Sequence, residues 1–172
     1  MRARLLALLI LGPTVVSAPM PAAAEPAHAA ATAAGTTPWG PPMHGDLTVT
    51  HPFEPLPHPF AAGHRGSDLR GTPWSPVLAA GDGVVVFAGM VAGRPVGSID
   101  HPGGLRTTYE PVDPSVAAGQ SVARGSPIGT LAAGHSGCPV GACLHWGLRR
   151  GETYLDPMSL LRPTRVRLLP LE

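Results

Sequence analysis

The chain contains no lysine, and all 12 of its basic residues are arginines. They are nearly balanced by 11 acidic residues, which leaves a formal net charge of +1 at pH 7. A protein that binds nucleic acid through its charge carries a clear basic excess, so this balance argues against nucleic acid as a partner. The lack of lysine, in a chain with 22 glycines and 22 prolines, indicates GC-rich codon usage and not a function.

No segment is long and apolar enough to span a membrane. The best candidate, Leu5–Val16, is interrupted by Pro13 and is shorter than the ~20 apolar residues that a spanning helix needs. Two arginines precede it, and Ala22 and Ala24 follow as an A-x-A site, which is the layout of a cleavable secretory signal. We therefore predict that residues 1–24 are removed on export, and that the mature chain is secreted.

The sequence also lacks any apolar pattern of helical period that runs for three turns without glycine or proline. Short β-branched or aromatic runs bounded by turn residues are present instead, and these are typical of strands. The runs are Asp46–His51, Gly83–Val91, Gly104–Glu110 and Cys143–Arg149. We predict one all-β domain over residues 39–162, after a flexible Ala/Pro/Thr-rich leader (25–38) and before a C-terminal tail (163–172).

Cysteine is scarce, with only Cys138 and Cys143 in the chain. In an exported protein two cysteines favour a disulfide over free thiols. A loop this short restrains the unfolded chain little, so the bond should stabilise by less than the ~3 kcal/mol expected of a 15-residue loop. Its expected role is to fix the direction in which the chain enters the strand that follows.

One segment with metal-binding residue types is "AAGHRGSDLRG", in which His64 and Asp68 are four positions apart. An imidazole and a carboxylate on one zinc ion each lie ~2.0–2.2 Å from it. Because four residues of a flat strand span ~13 Å, the chain must bend, and Gly66 would allow that. The alternative is a loop in which Asp68 caps a turn and His64 is solvated.

A second segment is the predicted strand Cys143–Arg149. Strand alternation places Leu144, Trp146 and Leu148 on one apolar face and His145 on the opposite, open face. An exposed strand histidine is the ordinary alternative. Taken together, the two segments offer two imidazoles and one carboxylate, which is the ligand set of a catalytic zinc site with one open position.

The motifs of the chain resemble those of the lysostaphin/LytM-type zinc peptidoglycan endopeptidases, in order, from about Trp39 to Leu161. They are "GHRGSDL", "VLAAGDGVVVFAG", "IDHPGGLRTTYE", "VARGSPIGTL", "CLHWGLRRG" and "YLDPMSLL". The resemblance implies a compact two-sheet, barrel-like core (the duplicated hybrid motif) with short strands, long loops and a zinc-holding groove. It also implies action on cross-link peptides of the bacterial cell wall. The family's ligands fall on His64, Asp68 and His145, the second histidine of its H-x-H motif.

The resemblance fails at two positions. The family has two further histidines that bind no metal but act on the attacking water and the charged intermediate. The first histidine of H-x-H is replaced here by Cys143, and the histidine that normally follows Tyr-Ala is replaced by Pro111. His135 is a candidate substitute, although a solvated loop histidine is the ordinary case. Glu110 is expected to point away from the cleft, because neighbouring strand residues face opposite ways.

Cys143 itself has two interpretations. Bonded to Cys138 it is chemically silent, and as a free thiolate it would be a fourth zinc ligand. Among the other histidines, His101 is expected to order the Pro-Gly-Gly turn after it, and His51 carries no spacing argument.

The sequence therefore predicts an exported zinc metalloendopeptidase-family domain, directed at peptidoglycan, with weak or absent catalysis. The alternative is a non-catalytic module that keeps the zinc groove and binds peptidoglycan or activates a separate wall hydrolase. A zinc-stabilised secreted domain with another partner is the third interpretation.

Overall fold

The computed structural model describes residues 37–58, 60–135 and 137–162. The predicted signal peptide, most of the leader and the tail lie outside these ranges. The described residues form eleven strands: β1 Val49–His51, β2 Gly66–Gly71, β3 Pro76–Leu78, β4 Gly83–Val91, β5 Arg94–His101, β6 Leu105–Glu110, β7 Val112–Pro114, β8 Ser121–Val122, β9 Pro127–Leu131, β10 Ala142–Arg150 and β11 Thr153–Leu155.

The strands form two antiparallel sheets. The larger has eight strands in the order β1-β2-β10-β6-β5-β4-β8, with β11 also paired to β10. The smaller has the order β3-β9-β7. The prediction of an all-β, two-sheet fold is confirmed, and both sheets remain open in the part of the chain that the structure describes.

The core lies on the apolar face of β10. Leu144 and Trp146 are fully buried and Leu148 is 2% exposed, as the alternation predicts. Val77 and Leu131 of the smaller sheet belong to the same apolar cluster. Removing a buried tryptophan side chain costs ~3–5 kcal/mol, so this packing fixes the position of β10 within the sheet.

The predicted strands match closely in the centre of the sheet and less well at its edge. β4 spans the predicted residues, and β10 extends the predicted run by one residue at each end. β1 keeps only Val49–His51 of the predicted six residues. It is an edge strand with a shifted register against β2, so fewer ladder bonds define its start.

His101 is a core residue, so the expectation that it orders the following turn is wrong. Its Nδ1–H donates to the backbone carbonyl of Asp82 at 2.9 Å, and its Nε2 is hydrogen-bonded to Thr107 Oγ1 at 2.7 Å. Thr107 is in turn bonded to the hydroxyl of Tyr109 at 2.9 Å, which accepts from the backbone N–H of Ala80. Burial lowers the pKa of His101 and raises the pKa of Tyr109 to about 12. The imidazole thus joins strands across the core.

A short 3₁₀ helix, Pro157–Leu161, follows β11. Asp156 caps it, because its Oδ1 accepts from the backbone N–H of Met158 at 2.9 Å and its Oδ2 accepts from Arg162 at 3.0 Å. Leu160 of this helix is buried against the core. No helix among the described residues is long and apolar enough to cross a membrane.

Candidate metal site and adjoining groove

Strand register builds the site. Asp68 of β2 lies opposite His51 of β1 on one side and His145 of β10 on the other, and His145 lies opposite Glu110 of β6. Residues directly opposite each other in a sheet project from the same face. Four chemically active side chains therefore form a row across one face, and the apolar residues of β10 cover the other.

Three of the predicted residues converge on one point. His64 Nε2 lies 3.0 Å from both Asp68 Oδ1 and His145 Nδ1, and His145 Nδ1 lies 2.9 Å from Asp68 Oδ1. Their side chains are 12%, 4% and 18% exposed, respectively. A tetrahedral zinc ion with bonds of ~2.0–2.2 Å keeps its donors roughly 3.3–3.6 Å apart. The three donor atoms are thus close to the spacing that such an ion requires.

The tautomer of His64 is set by its neighbour. Its Nδ1 lies 2.8 Å from the carbonyl oxygen of Pro52, which can only accept, so Nδ1 carries the proton and Nε2 presents a lone pair to the site. Burial raises the pKa of Asp68, but the hydrogen bond from His145 and the charges of the surrounding imidazoles outweigh burial, and the pKa lies below its ordinary value. An ionised carboxylate therefore faces a bare imidazole nitrogen, and this donor set fits a cation.

Gly66 is required for a different reason from the predicted bend. It is the first residue of β2 and is paired with Gly147 of β10. A Cβ on Gly66 would lie 2.5 Å from the carbonyl oxygen of Trp146 and 2.7 Å from Cε1 and Nε2 of the His145 ring. The absence of a side chain thus lets the two strands pack closely and leaves room for His145.

Cys143 is fully buried and is bonded to Cys138. The interpretation of Cys143 as a free thiolate ligand is therefore wrong, since its sulfur is already used. The disulfide joins β10 to the loop after β9, and that loop brings His135 onto the site. His135 Nε2 lies 3.2 Å from Asp68 Oδ2, and its side chain is 10% exposed.

Sequence reasoning missed His51 and Glu54. The ring of His51 stacks on that of His64 with centroids 3.9 Å apart, and its Nδ1 lies 3.8 Å from Asp68 Oδ2. Glu54 Oε2 accepts from the backbone N–H of His64 at 3.0 Å. The register between β1 and β2 would have revealed His51, but the pattern within β1 gives no indication of it.

Glu110 shares a face with His145, so the prediction that it points away from the cleft is wrong. The prediction took Pro111 as the groove-facing position, whereas strand pairing gives that place to Glu110. Its carboxylate lies 2.9 Å from Nη1 of Arg94. Pro111 is buried directly after β6.

A groove of about 430 Å³ lies over the polar face of β10, β6 and β5, and His145 is among the residues that line it. Three arginines, Arg65, Arg106 and Arg149, line it together with Glu110 and several hydroxyl groups. The guanidinium of Arg65 lies over the ring of Tyr154 at 5.4 Å. The groove is therefore polar, and two of its arginines are paired with acidic side chains: Arg106 with Asp100 and Arg149 with Glu152.

The family model described as peptidase family M23 matches residues 62–157, which include the converging histidines and aspartate. The chain belongs to peptidase family M23. Uncharacterized proteins of Mycobacterium tuberculosis and Mycobacterium bovis are each 49% identical to this M23 chain over 152 residues, or 86% of it. The chain spans 59% of the length of these curated relatives.

Solved structures agree with the family. A zinc containing peptidase from Vibrio cholerae is 30% identical, with a TM-score of 0.56 over 68% of this chain and 38% of that one. The catalytic domain of lysostaphin from Staphylococcus simulans has the same fold, with a TM-score of 0.56 and 22% identity over 67% of this chain and 92% of that one.

Proposed function

We propose that this M23 domain is an exported zinc peptidase that hydrolyses cross-link peptides of bacterial peptidoglycan slowly. The observation that carries the proposal is the convergence of His64 Nε2, His145 Nδ1 and Asp68 Oδ1 within about 3.0 Å of one another. These three atoms are the proposed metal ligands. The Vibrio cholerae neighbour, described as zinc containing, supports the choice of metal.

The donor set supports a divalent ion of zinc type. Imidazole nitrogen and carboxylate oxygen are ordinary zinc ligands, and three protein ligands leave a coordination position open. When bound, zinc would supply Lewis-acid polarisation of a peptide carbonyl and would lower the pKa of a water molecule. The chain's own contribution is to hold the three donors in place.

Each of these donor side chains is also positioned by the surrounding structure. The Pro52 carbonyl fixes the tautomer of His64, and the ladder between β2 and β10 fixes Asp68 opposite His145. Contacts of this kind orient metal ligands and commonly change metal affinity 10–100-fold when removed. These contacts hold the donors in a geometry that suits a metal ion.

The groove gives the substrate a place beside the metal. Its arginines suit a peptide that carries carboxylates, as the stem peptides of peptidoglycan do. His145 lines this groove, so a peptide bound there would lie beside one of the three proposed ligands.

Slow turnover is expected from the two lost histidines. By the resemblance, the family's two non-ligand histidines fall on Pro111 and Cys143; Cys143 is in a disulfide, and the side chain that faces the groove beside His145 is the carboxylate of Glu110. General acid–base assistance contributes ~10²–10⁴-fold to a rate, so its loss predicts a correspondingly slow enzyme. The same observation favours the second candidate, a non-catalytic module that binds peptidoglycan or activates a separate wall hydrolase.

Export and association with the cell wall are part of the proposal. A disulfide is at home in an oxidising compartment, and the chain contains one.

Metal analysis of the purified chain tests the site. We expect about one zinc per chain and a large loss of zinc in His145→Ala. The matched control is His44→Ala, because His44 lies outside the cluster and should leave the zinc content unchanged. A parent protein that binds no zinc at micromolar concentration would refute the ligand set.

Incubation with purified cell walls tests turnover. The appearance of new peptide amino ends, abolished by Asp68→Ala, supports the peptidase. Zinc-loaded protein that releases no ends but sediments with the walls supports the binding module. Protein that does neither would contradict both functions.

A further inference from the structure

His135 reaches the site from a different direction from the three proposed ligands. Its Nε2 lies 3.2 Å from Asp68 Oδ2, whereas His64 and His145 contact Oδ1. The side chain is nine-tenths buried, although it lies in a loop. Its Nδ1 is buried and has no hydrogen-bond partner among the described residues. The hydrogen bond to Asp68 therefore gives a partner to only one of the two ring nitrogens of His135.

The position of His135 also fits ligation. Donor atoms of Asp68, His135 and His145 all lie within 4.8 Å of one another. The rings of His135 and His145 are stacked, with centroids 5.9 Å apart and planes at 27°. Donors on a tetrahedral zinc ion lie roughly 3.3–3.6 Å apart, so a movement of the loop by about 1 Å brings Nε2 into range.

The disulfide explains how a loop residue can be placed with this precision. Cys138 follows His135 in the loop, and Cys143 precedes His145 in β10. The bond therefore ties the segment that carries one imidazole to the strand that carries the other. Position 143, which the resemblance assigns to histidine, thus holds a cysteine whose disulfide fixes the loop that carries His135.

His51 is the other imidazole near Asp68 Oδ2, and the structure favours it less. Its Nδ1 is farther from Oδ2, at 3.8 Å, and its side chain is 51% exposed. Its ring is stacked on His64 and its Nε2 lies 3.5 Å from Glu54 Oε1. Water and Glu54 therefore already solvate this ring.

We propose that His135 is a fourth protein ligand, so that the metal is held by three imidazoles and one carboxylate. The proposal rests on the zinc site of the proposed function and deepens it. A fourth protein ligand would fill the coordination position that three ligands leave open.

Zinc X-ray absorption spectroscopy of the zinc-loaded full chain tests the proposal, since multiple scattering counts the imidazoles on the metal. We expect three in the parent chain, two in His135→Ala and three in the matched control His51→Ala. Two imidazoles in the zinc-loaded parent would overturn the assignment while leaving the proposed function intact. A chain that binds no zinc would instead refute the metal site itself.

Zinc affinity gives a second measurement, by competition with a chromophoric chelator. His135→Ala should bind zinc at least ~10-fold more weakly, and His51→Ala should change affinity by less than ~3-fold. If the alanine variant folds poorly, His135→Gln serves in its place, with circular dichroism as the check on folding. Equal affinities for the parent and the folded His135 variant would contradict ligation.

Azide binding to the cobalt-substituted protein separates ligation from a hydrogen bond to Asp68. Azide should leave the visible spectrum of the parent unchanged and should shift that of the His135 variant, because loss of a ligand opens a position. A spectral shift in the parent would show that the position is already open, and would overturn the proposal.

Discussion

His101 in the core and the histidines around Asp68 differ in how their ring nitrogens are hydrogen-bonded. His101 has one acceptor for its N–H and one hydroxyl for its other nitrogen, and so is complete as a neutral ring. Around Asp68, by contrast, ring nitrogens of His64 and His145 converge on one carboxylate oxygen, and the His64 nitrogen presents a lone pair there. His101 is buried and the histidines around Asp68 are largely buried, but only the second set would be stabilised by a cation.

Burial alone therefore does not distinguish a structural histidine from a functional one. The useful criterion is the number of lone pairs left after every available donor has been assigned. His101 has none in excess, so a metal has nothing to bind there. The Asp68 cluster has several, and the protein maintains it through strand pairing and a disulfide.

The largest expected effect comes from Gly66→Ala, which would break the cluster and leave His101 untouched. The new Cβ would collide with the Trp146 carbonyl and the His145 ring, at 2.5 and 2.7 Å. We expect loss of zinc binding and a fall of ~1–3 kcal/mol or more in the free energy of unfolding, measured by urea denaturation.

Gly97→Ala is the matched control. Gly97 lies in β5, and a Cβ there meets nothing within 4 Å. Its zinc content and stability should stay close to those of the parent. Normal zinc binding by Gly66→Ala would show that the close approach is not required.

Zinc removal should destabilise the chain by a similar amount. A ligand at 100 times its dissociation constant stabilises the fold by ~2.7 kcal/mol, so chelation should lower the melting temperature by several degrees. Differential scanning calorimetry with and without zinc measures the shift.

The two groups predict opposite results for their variants in this measurement. His145→Ala should lose the zinc-dependent shift in melting temperature. His101→Gln should keep the shift, but its melting temperatures with and without zinc should both be lower than those of the parent. A zinc-dependent shift retained by His145→Ala would assign the metal to other residues.

A smaller effect concerns pH. Burial holds the pKa of His101 below its ordinary 6.5, despite the nearby carboxylates of Asp100 and Asp82. As the pH falls below about 6.5 the unfolded chain takes up a proton that the folded chain does not, so the free energy of unfolding decreases. His101→Gln lacks this contribution, and the parent should therefore lose more stability than the variant between pH ~7.5 and ~5.5.

Denaturant curves of the zinc-free parent and variant, recorded at both pH values, give this difference directly. Changes at the Asp68 cluster are common to both proteins and cancel. A larger loss in the variant than in the parent would reverse the sign and reject the assignment.

The smallest effect is expected at the rim of the cluster. Glu54→Gln keeps an oxygen acceptor for the backbone N–H of His64 but removes a charge near His51. Because both side chains are about half exposed, zinc affinity should change by less than ~3-fold, as measured with a chelator. A change of tenfold would place this rim within the metal site.

Much of the fold could be predicted from local patterns. Alternation in β10 separated the core residues from His145, and the spacing of His64 and Asp68, together with the family resemblance, pointed to the cluster that these side chains form. The two cysteines pointed to their disulfide because of their number and the predicted compartment. In each case neighbours along the chain carry the signal.

What could not be predicted depends on pairing between distant strands. His51 reaches Asp68 only because β1 pairs with β2, and Glu110 faces the groove only because β6 is in register with β10. The burial of His101 likewise follows from contacts of β5 with β6 and with the start of β4. No pattern within one strand fixes the register of another.

The disulfide between Cys138 and Cys143 also has an evolutionary consequence. If it anchors the loop that presents His135, the three positions form one inherited unit. Relatives with histidine at position 143 should then lack the partner cysteine and be free to vary at position 135, whereas relatives with the cysteine pair should keep that histidine. Covariation among these three positions would divide the family into two lineages, one with three protein ligands and one with a loop histidine as a fourth.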